Sequence, residues 1–325
     1  MKIVFVLPIA GMSGGIKVVS IYALGLKKKG HEVILISPPP VRKSFRGRIK
    51  SFLQGSGWPR NSFRPKSHLD HSGLDHRVLD CWRPVIDTDV PDADVVVATW
   101  WETAEWVNLL SGSKGAKVYF VQGHETFSNL PIDRVKATYC LPMQKIVVSA
   151  WLRRMMEHLY NDSGTKLVLN SVDRSQFHAP ARGKQGRPTV GFLFSNASVK
   201  GIDVALKVIQ SVRVKYPNLR VISFGSSPVS TAEYWDTGIE FVESPAQTQL
   251  RDLYAQCDVW LSASRSEGFN LTAMEAMACR TPVVSTRTGW PEDAIRDCVN
   301  GVLADVDDIE ALTAGVLWAL SLSEE

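Results

Sequence analysis

Short runs of β-branched and other apolar residues recur along the chain. Each is followed by a loop of small or polar residues and then by apolar positions at helical spacing. KIVFVLP, residues 2–8, predicts a buried parallel strand. AGMSGG, residues 10–15, follows as a loop, and Val19, Tyr22, Ala23 and Leu26 then recur on one helical face. Lys27, Lys28 and Lys29 suit the negative end of that helix, and Gly30 suits its C-terminal cap. EVILIS, DVVVAT and KVYFVQ predict later strands. Strands alternating with helices predict a doubly wound parallel sheet.

The pattern restarts near residue 188. PTVGFLFS predicts a strand, and Ile202, Ala205, Leu206 and Ile209 mark the next helix. RVISFG, EFVES, DVWLSAS, PVVSTR and GVLAD predict further strands. The expected architecture is α/β, with two Rossmann-like domains facing a cleft. They would span residues 1–177 and 189–325, joined by the polar linker HAPARGKQGRP at 178–188. In open α/β sheets ligands bind outside the carboxyl ends of the strands.

A chain of 325 residues, 45% of them apolar, has room for two such cores. The net charge of +4 is too small an excess to point to nucleic acid. Cys81, Cys140, Cys257, Cys279 and Cys298 form no CxxC pair, which fits a reducing, cytoplasmic setting better than a disulfide framework or a zinc site. No apolar run reaches the roughly 18 residues of a membrane span. The N-terminal MKIVFVLPIAG lacks an A-x-A cleavage site and leads into a glycine loop and a helix, so it reads as a strand.

Candidate chemistry concentrates in EGFNLTAME, residues 267–275. A helix is expected from Asn270 or Leu271, with Leu271, Met274 and Ala278 on one face and Glu275 among them. A carboxylate on an apolar stripe needs a partner. One reading makes Glu275 the end of a capping box with Thr272. The other gives it a sugar diol, with a phosphate at the helix N-terminus beside it, which together describe a nucleotide. Glu267 lies before the helix in a loop loosened by Gly268, either solvated or in contact with the group carried by that phosphate. A continuous helix would separate the two carboxylates by about 12 Å along its axis, too far for the paired carboxyls of a retaining glycosidase.

EGFNLTAMEAMACRTPVVST resembles the E-x7-E signature of family-4 glycosyltransferases (glycosyl transferases group 1), which are retaining, nucleotide-sugar-dependent enzymes of the GT-B fold. The resemblance is dense over residues 258–304 and thinner before them, where AGMSGG resembles the family's first glycine loop and NSVD, residues 170–173, the segment preceding its second domain. It implies that Glu275 binds the ribose hydroxyls and Glu267 the transferred sugar. Gly268, Phe269, Asn270, Leu271 and Thr272 would meet the sugar and diphosphate. Lys200 would neutralise the diphosphate, His124 would face the sugar, and Gly14 and Gly15 would approach the diphosphate. Without the resemblance, Lys200 is a surface lysine, His124 an incidental loop histidine, and the two glycines a tight turn. Three positions depart from the pattern, the first being Ser171, which stands in NSVD where the family has a glycine. Ser195, counted with the donor-binding residues, replaces an arginine, and Trp290 replaces a glycine and is expected to narrow the pocket.

Residues 41–69 carry eight Lys and Arg and no Asp or Glu, with Phe45, Phe52, Leu53, Trp58 and Phe63 interleaved. This is either a surface loop or a face for peripheral contact with an anionic inner membrane surface. The expected function is transfer of a hexose-type sugar, with retention, from a nucleoside-diphosphate-sugar to a glycan, lipid-linked or other acceptor. The nucleotide-sugar is a co-substrate. No cofactor is expected, and no metal, since no DxD-like motif ends a strand. Competing readings are a GT-B nucleotide-sugar epimerase, which needs no acceptor, and a non-catalytic nucleotide-sugar-binding module.

Overall fold

The computed structural model describes residues 1–40, 66–226 and 238–322. The chain forms two compact units, residues 1–146 with 160–166, and residues 147–159 with 167–325.

The first sheet takes β1 (Lys2–Val6), β2 (Glu32–Ser37), β3 (Asp75–Val78), β4 (Val95–Ala98), β5 (Ala116–Val121), β6 (Gln144–Val147) and β7 (Lys166–Leu167) in the order β3-β2-β1-β4-β5-β6-β7. β1 pairs in parallel with both β2 and β4. Val4 and Val6 are fully buried, as a strand covered on both faces requires. Helix α1 (Gly14–Lys28) follows β1. Its N-cap is Ser13, whose Oγ accepts from the Ile16 N–H at 3.4 Å. The glycine loop is therefore shorter than expected, because Gly14 and Gly15 are the first two helical residues. Gly30, at φ +87°, donates to Lys27 O and ends the helix, as its sequence suggested. Strands β3, β6 and β7 went unread in the sequence. β3 is the edge strand DHRV, largely exposed, so no apolar run marks it. The remaining helices of this stretch are α2 (Trp101–Leu109), α3 (Ile132–Thr138) and α4 (Ala150–Tyr160).

The second sheet takes β8 (Thr189–Leu193), β9 (Arg220–Gly225), β10 (Glu240–Glu243), β11 (Val259–Ser262), β12 (Val283–Thr286) and β13 (Gly301–Ala304) in the order β10-β9-β8-β11-β12-β13, every pair parallel. Helices α5 (Ile202–Lys215) and α9 (Ile309–Ser321) cover one face. Helices α6 (Gln247–Ala255) and α7 (Leu271–Ala278) cover the other, and α8 (Trp290–Ala294) follows β12. Alternate strand residues feed the two layers: Val221 and Val284 join the first, and Ile222 and Val283 the second.

Residues 178–188 contain no helix or strand and belong to the second unit. There Arg182 donates to the carbonyls of Ala255, Cys257 and Arg280 and to Thr281 Oγ1. No described helix is long and apolar enough to cross a membrane. Most of the basic stretch, residues 41–65, lies outside the described residues.

Candidate active site

In the second unit the chain leaves β8 toward β9 on one side, and β11 takes the other side. Such a switch point opens a crevice at the carboxyl ends of the two strands. After β8 the chain reaches a 3-10 turn, Ser198–Lys200. After β11 it passes Ser264 and Glu267 to α7. The two segments meet where Lys200 Nζ lies 2.7 Å from Glu267 Oε1 and Ser264 Oγ donates to the same oxygen at 2.7 Å. The Lys200 side chain is 28% exposed and that of Glu267 12%. Leu193, Lys200, Ser262, Ser264, Glu267 and Thr272 line a pocket here.

This approach depends on Gly201. Its φ is +62°, and a Cβ built on it would lie 2.0 Å from Ala263 O. Arg265 pins the turn further, its N–H donating to Val199 O and its guanidinium to Ser198 O, Asp203 and Asp307. That guanidinium holds the Asp203 carboxyl below the usual carboxylate range.

Asn270, at φ +72°, is the N-cap of α7. Its Oδ1 accepts from the Ala273 N–H at 3.3 Å and from Thr272 Oγ1 at 3.0 Å, and its Nδ2 donates to Ser262 Oγ at 2.8 Å. Thr272 therefore lies inside the helix, and it does not form the expected capping box with Glu275. The buried face also differs from the expected stripe: α7 buries Ala273, Glu275 and Ala276, with Leu271, Met274 and Ala278 only half-buried. Glu275, 4% exposed, accepts from Tyr254 Oη at 2.8 Å. Burial and the neighbouring carboxylate push the Tyr254 phenol well above its ordinary value, so it stays a donor.

Gly289 follows β12 at φ +67°, where a Cβ would press on Glu267 Cβ and the Phe269 backbone at 3.1 Å. The Trp290 N–H then donates to Phe269 O at 2.9 Å, and its ring stacks on Phe269 with centroids 5.7 Å apart. Trp290 thus braces the loop through Phe269. Gly268 O accepts from Ser149 Oγ at 2.7 Å. Ser195 Oγ accepts from the Ala197 N–H at 3.2 Å in a local turn and brings no cation.

Gly14, Gly15 and His124 lie in the first unit. A Cβ on Gly15 would meet the Gln122 amide at 3.5 Å, an ordinary contact. His124 follows β5, with Nε2 2.7 Å from Tyr160 Oη and Nδ1 3.2 Å from Thr126 Oγ1. Burial, with a smaller effect from Lys136, lowers its pKa, so the ring is neutral at pH 7. Burial pushes Tyr160 up to about 12. Tyr160 and Thr126 are both hydroxyls, so together they satisfy the two ring nitrogens in either neutral tautomer. Sequence reasoning passed over Glu125, which is 3% exposed and accepts from the Trp101 N–H at 3.1 Å. Burial pushes its carboxyl well above the usual range. Ser149, Ser264 and Tyr254 were passed over as well. Of these only Ser149 had a local signal, a serine between an apolar run and a helix. Among the described residues no group of three or more His, Cys, Asp or Glu is placed to hold a metal ion.

Residues 187–321 match the profile of the family described as Glycosyl transferases group 1. A D-inositol 3-phosphate glycosyltransferase of Salinispora arenicola is 32% identical over 171 residues, 46% of this chain and 37% of its own length. A GDP-mannose-dependent alpha-(1-6)-phosphatidylinositol monomannoside mannosyltransferase of Mycolicibacterium smegmatis is 27% identical over 175 residues, 50% of this chain and 46% of its own length. The chain thus matches less than half the length of either relative. Among solved structures, Anabaena HepE in complex with UDP and glucose superposes with a TM-score of 0.74 at 15% identity, covering 99% of this chain and 90% of that one. Sucrose-phosphate synthase from Thermosynechococcus elongatus superposes with a TM-score of 0.70 at 15% identity, covering 99% and 92%. The chain therefore has the two parallel-sheet α/β domains of GT-B glycosyltransferase structures, and its residues 187–321 match a glycosyl transferases group 1 domain.

Proposed function

We propose that this chain is a retaining glycosyltransferase that moves a hexose-type sugar from a nucleoside diphosphate to an acceptor hydroxyl. The observation that carries the reading is the convergence of Lys200, Glu267 and Ser264 beside the N-terminus of α7 at the β8/β11 switch point. The second unit would bind the donor. Glu275, anchored by Tyr254, would take the ribose hydroxyls, Glu267 would take the sugar, and Lys200 with the amides at the start of α7 would take the diphosphate. The first unit, with His124, would serve the acceptor side.

Lys200 is neutralised by Glu267 before any donor arrives. As the sugar–phosphate bond breaks, negative charge builds on the diphosphate, which then competes with Glu267 for the same cation. That interaction is stronger in the transition state than in the ground state, which is the condition for raising kcat. The acceptor oxygen would attack the face that the diphosphate leaves. No step needs a metal or a cofactor, so transfer should survive EDTA. HepE is described with UDP and glucose, and the mannosyltransferase relative is GDP-mannose-dependent and acts on a phosphatidylinositol mannoside. Those names support a nucleotide-sugar donor and admit a lipid-linked acceptor, which the basic stretch would meet at the cytoplasmic membrane face.

The test is titration of the purified chain with UDP, GDP, UDP-glucose and GDP-mannose, followed by transfer assays with and without EDTA and NMR of the product anomer. Binding of a nucleoside diphosphate and a product of retained configuration are expected. Conversion of the donor without acceptor, an inverted product, or no nucleotide binding would each overturn the reading.

A further inference from the structure

The loop that starts α7 is held from a segment more than a hundred residues earlier. Ser149 stands between β6 and α4 and is fully buried. Its hydroxyl accepts the Leu152 N–H at 3.2 Å, as a helix N-cap does, and donates to Gly268 O at 2.7 Å. Ser149 and Gly268 both belong to the second unit. Asp293 on α8 ties α4 to the same place, its Oδ2 accepting from the Ala150 N–H at 2.9 Å and the Trp151 N–H at 3.3 Å. A cap alone would need only the first of the two Ser149 bonds. The second fixes the direction of one peptide group.

The Gly268–Phe269 peptide is trans, so its carbonyl and its N–H point to opposite sides of the chain. With the carbonyl turned onto Ser149, the Phe269 N–H faces the other way. It donates to no described residue, although Phe269 is 4% exposed. A buried backbone donor needs an acceptor, and a ligand oxygen can supply one.

We propose that Ser149 is a positioning residue for the donor: by holding Gly268 O it aims the Phe269 N–H at an oxygen of the second phosphate of a nucleoside diphosphate. This inference rests on the functional reading above. It adds a residue outside the matched family region, and it makes the donor loop of residues 267–270 dependent on α4.

The experiment titrates UMP with UDP, and GMP with GDP, into wild type and into Ser149→Ala, Ser149→Thr and Asp293→Asn, with a melting curve for each. For the base that binds, Ser149→Ala should weaken the diphosphate about tenfold and leave the monophosphate within about twofold, on the scale of one charge-assisted hydrogen bond. Ser149→Thr, which keeps the hydroxyl, should restore most of the loss. Asp293→Asn should lower the melting temperature and leave the diphosphate-to-monophosphate ratio unchanged. Should Ser149→Ala fail to fold, Ser149→Cys, a weak donor, gives the same ratio to compare. An unchanged ratio in the Ser149 variants, or equal loss of both nucleotides, would reduce Ser149 to a helix cap and overturn the proposal while leaving the enzyme reading intact. Wild-type protein that binds neither diphosphate would overturn the enzyme reading itself.

Discussion

Replacing Lys200 by Met keeps most of the side chain's length and removes its charge. Two costs follow, and they fall on different observables. The first is stability. The Lys200–Glu267 pair is short, 2.7 Å, with side chains 28% and 12% exposed. Surface pairs contribute about 0–1 kcal/mol, whereas stranding a buried charge costs about 3–5 kcal/mol. Here Ser264 continues to donate to the stranded carboxylate, so about 1–2 kcal/mol is expected. At about 2–4 °C per kcal/mol for a domain of this size, the melting temperature should fall by about 2–8 °C. The second cost is catalytic. Removing one preorganised group facing transition-state charge costs about 2.7–4 kcal/mol, or 10²–10³ in kcat. Lys200→Arg should recover part of the rate, because its fork differs in shape and reach from an ammonium. Glu267→Gln and the double variant complete a cycle. If Lys200 acts only by holding Glu267, the double variant should be no slower than Glu267→Gln alone. If it acts on the diphosphate, the double variant should be slower by at least tenfold. Steady-state transfer, read as released nucleoside diphosphate, supplies the rates. A Lys200→Met protein with kcat within twofold of wild type would refute the placement of the diphosphate.

Gly201→Ala should cost about 2–4 kcal/mol in urea unfolding, because the new Cβ would start 2.0 Å from Ala263 O at a φ of +62°; a loss under about 0.5 kcal/mol would contradict the close approach. Tyr254→Phe should cost about 1.5–3 kcal/mol by removing the hydroxyl that donates to the buried Glu275 carboxylate, and clearly less in a Glu275→Gln background; equal costs in both backgrounds would deny the coupling. Glu125 has a folded pKa raised above its unfolded value of about 4.3, so its contribution is fully present below that value and is lost as pH rises toward the folded one. Glu125→Gln should therefore gain stability relative to wild type as pH goes from 4 to 8, and a pH-independent difference between the two would contradict the buried neutral carboxyl.

The second unit was far more legible in the sequence than the first, for physical reasons. All its strands but the edge strand β10 are buried, so RVISFG and its neighbours stand out as apolar runs. Its chemistry is compressed into EGFNLTAME, where Asn270 caps the short helix that carries Glu275. What stayed hidden was pairwise geometry. No local pattern says that Lys200 meets Glu267 sixty-seven residues away, that Tyr254 rather than Thr272 answers Glu275, or that Arg265 ties Asp203 to Asp307. The capping-box reading failed because Asn270 in the left-handed conformation caps α7 two residues earlier. In the first unit β3 carries Asp75 and Arg77 on an exposed edge, and β7 is two residues long, so neither leaves a hydrophobic signature.

The ownership of α4 bears on how this protein is made. Its flanking strands, β6 and β7, complete the first sheet, yet residues 147–159 belong to the second unit. The carbonyl that Ser149 holds lies 119 residues downstream. At about 5–20 residues per second of synthesis, α4 waits some 6–24 s for that partner. During that interval Ser149 lacks its Gly268 carbonyl, and the Ala150 and Trp151 N–H groups lack Asp293. Birth of the molecule is thus a threaded process in which an early helix is kept in reserve for a late loop, and a nascent chain halted before Gly268 carries that helix without the loop it holds.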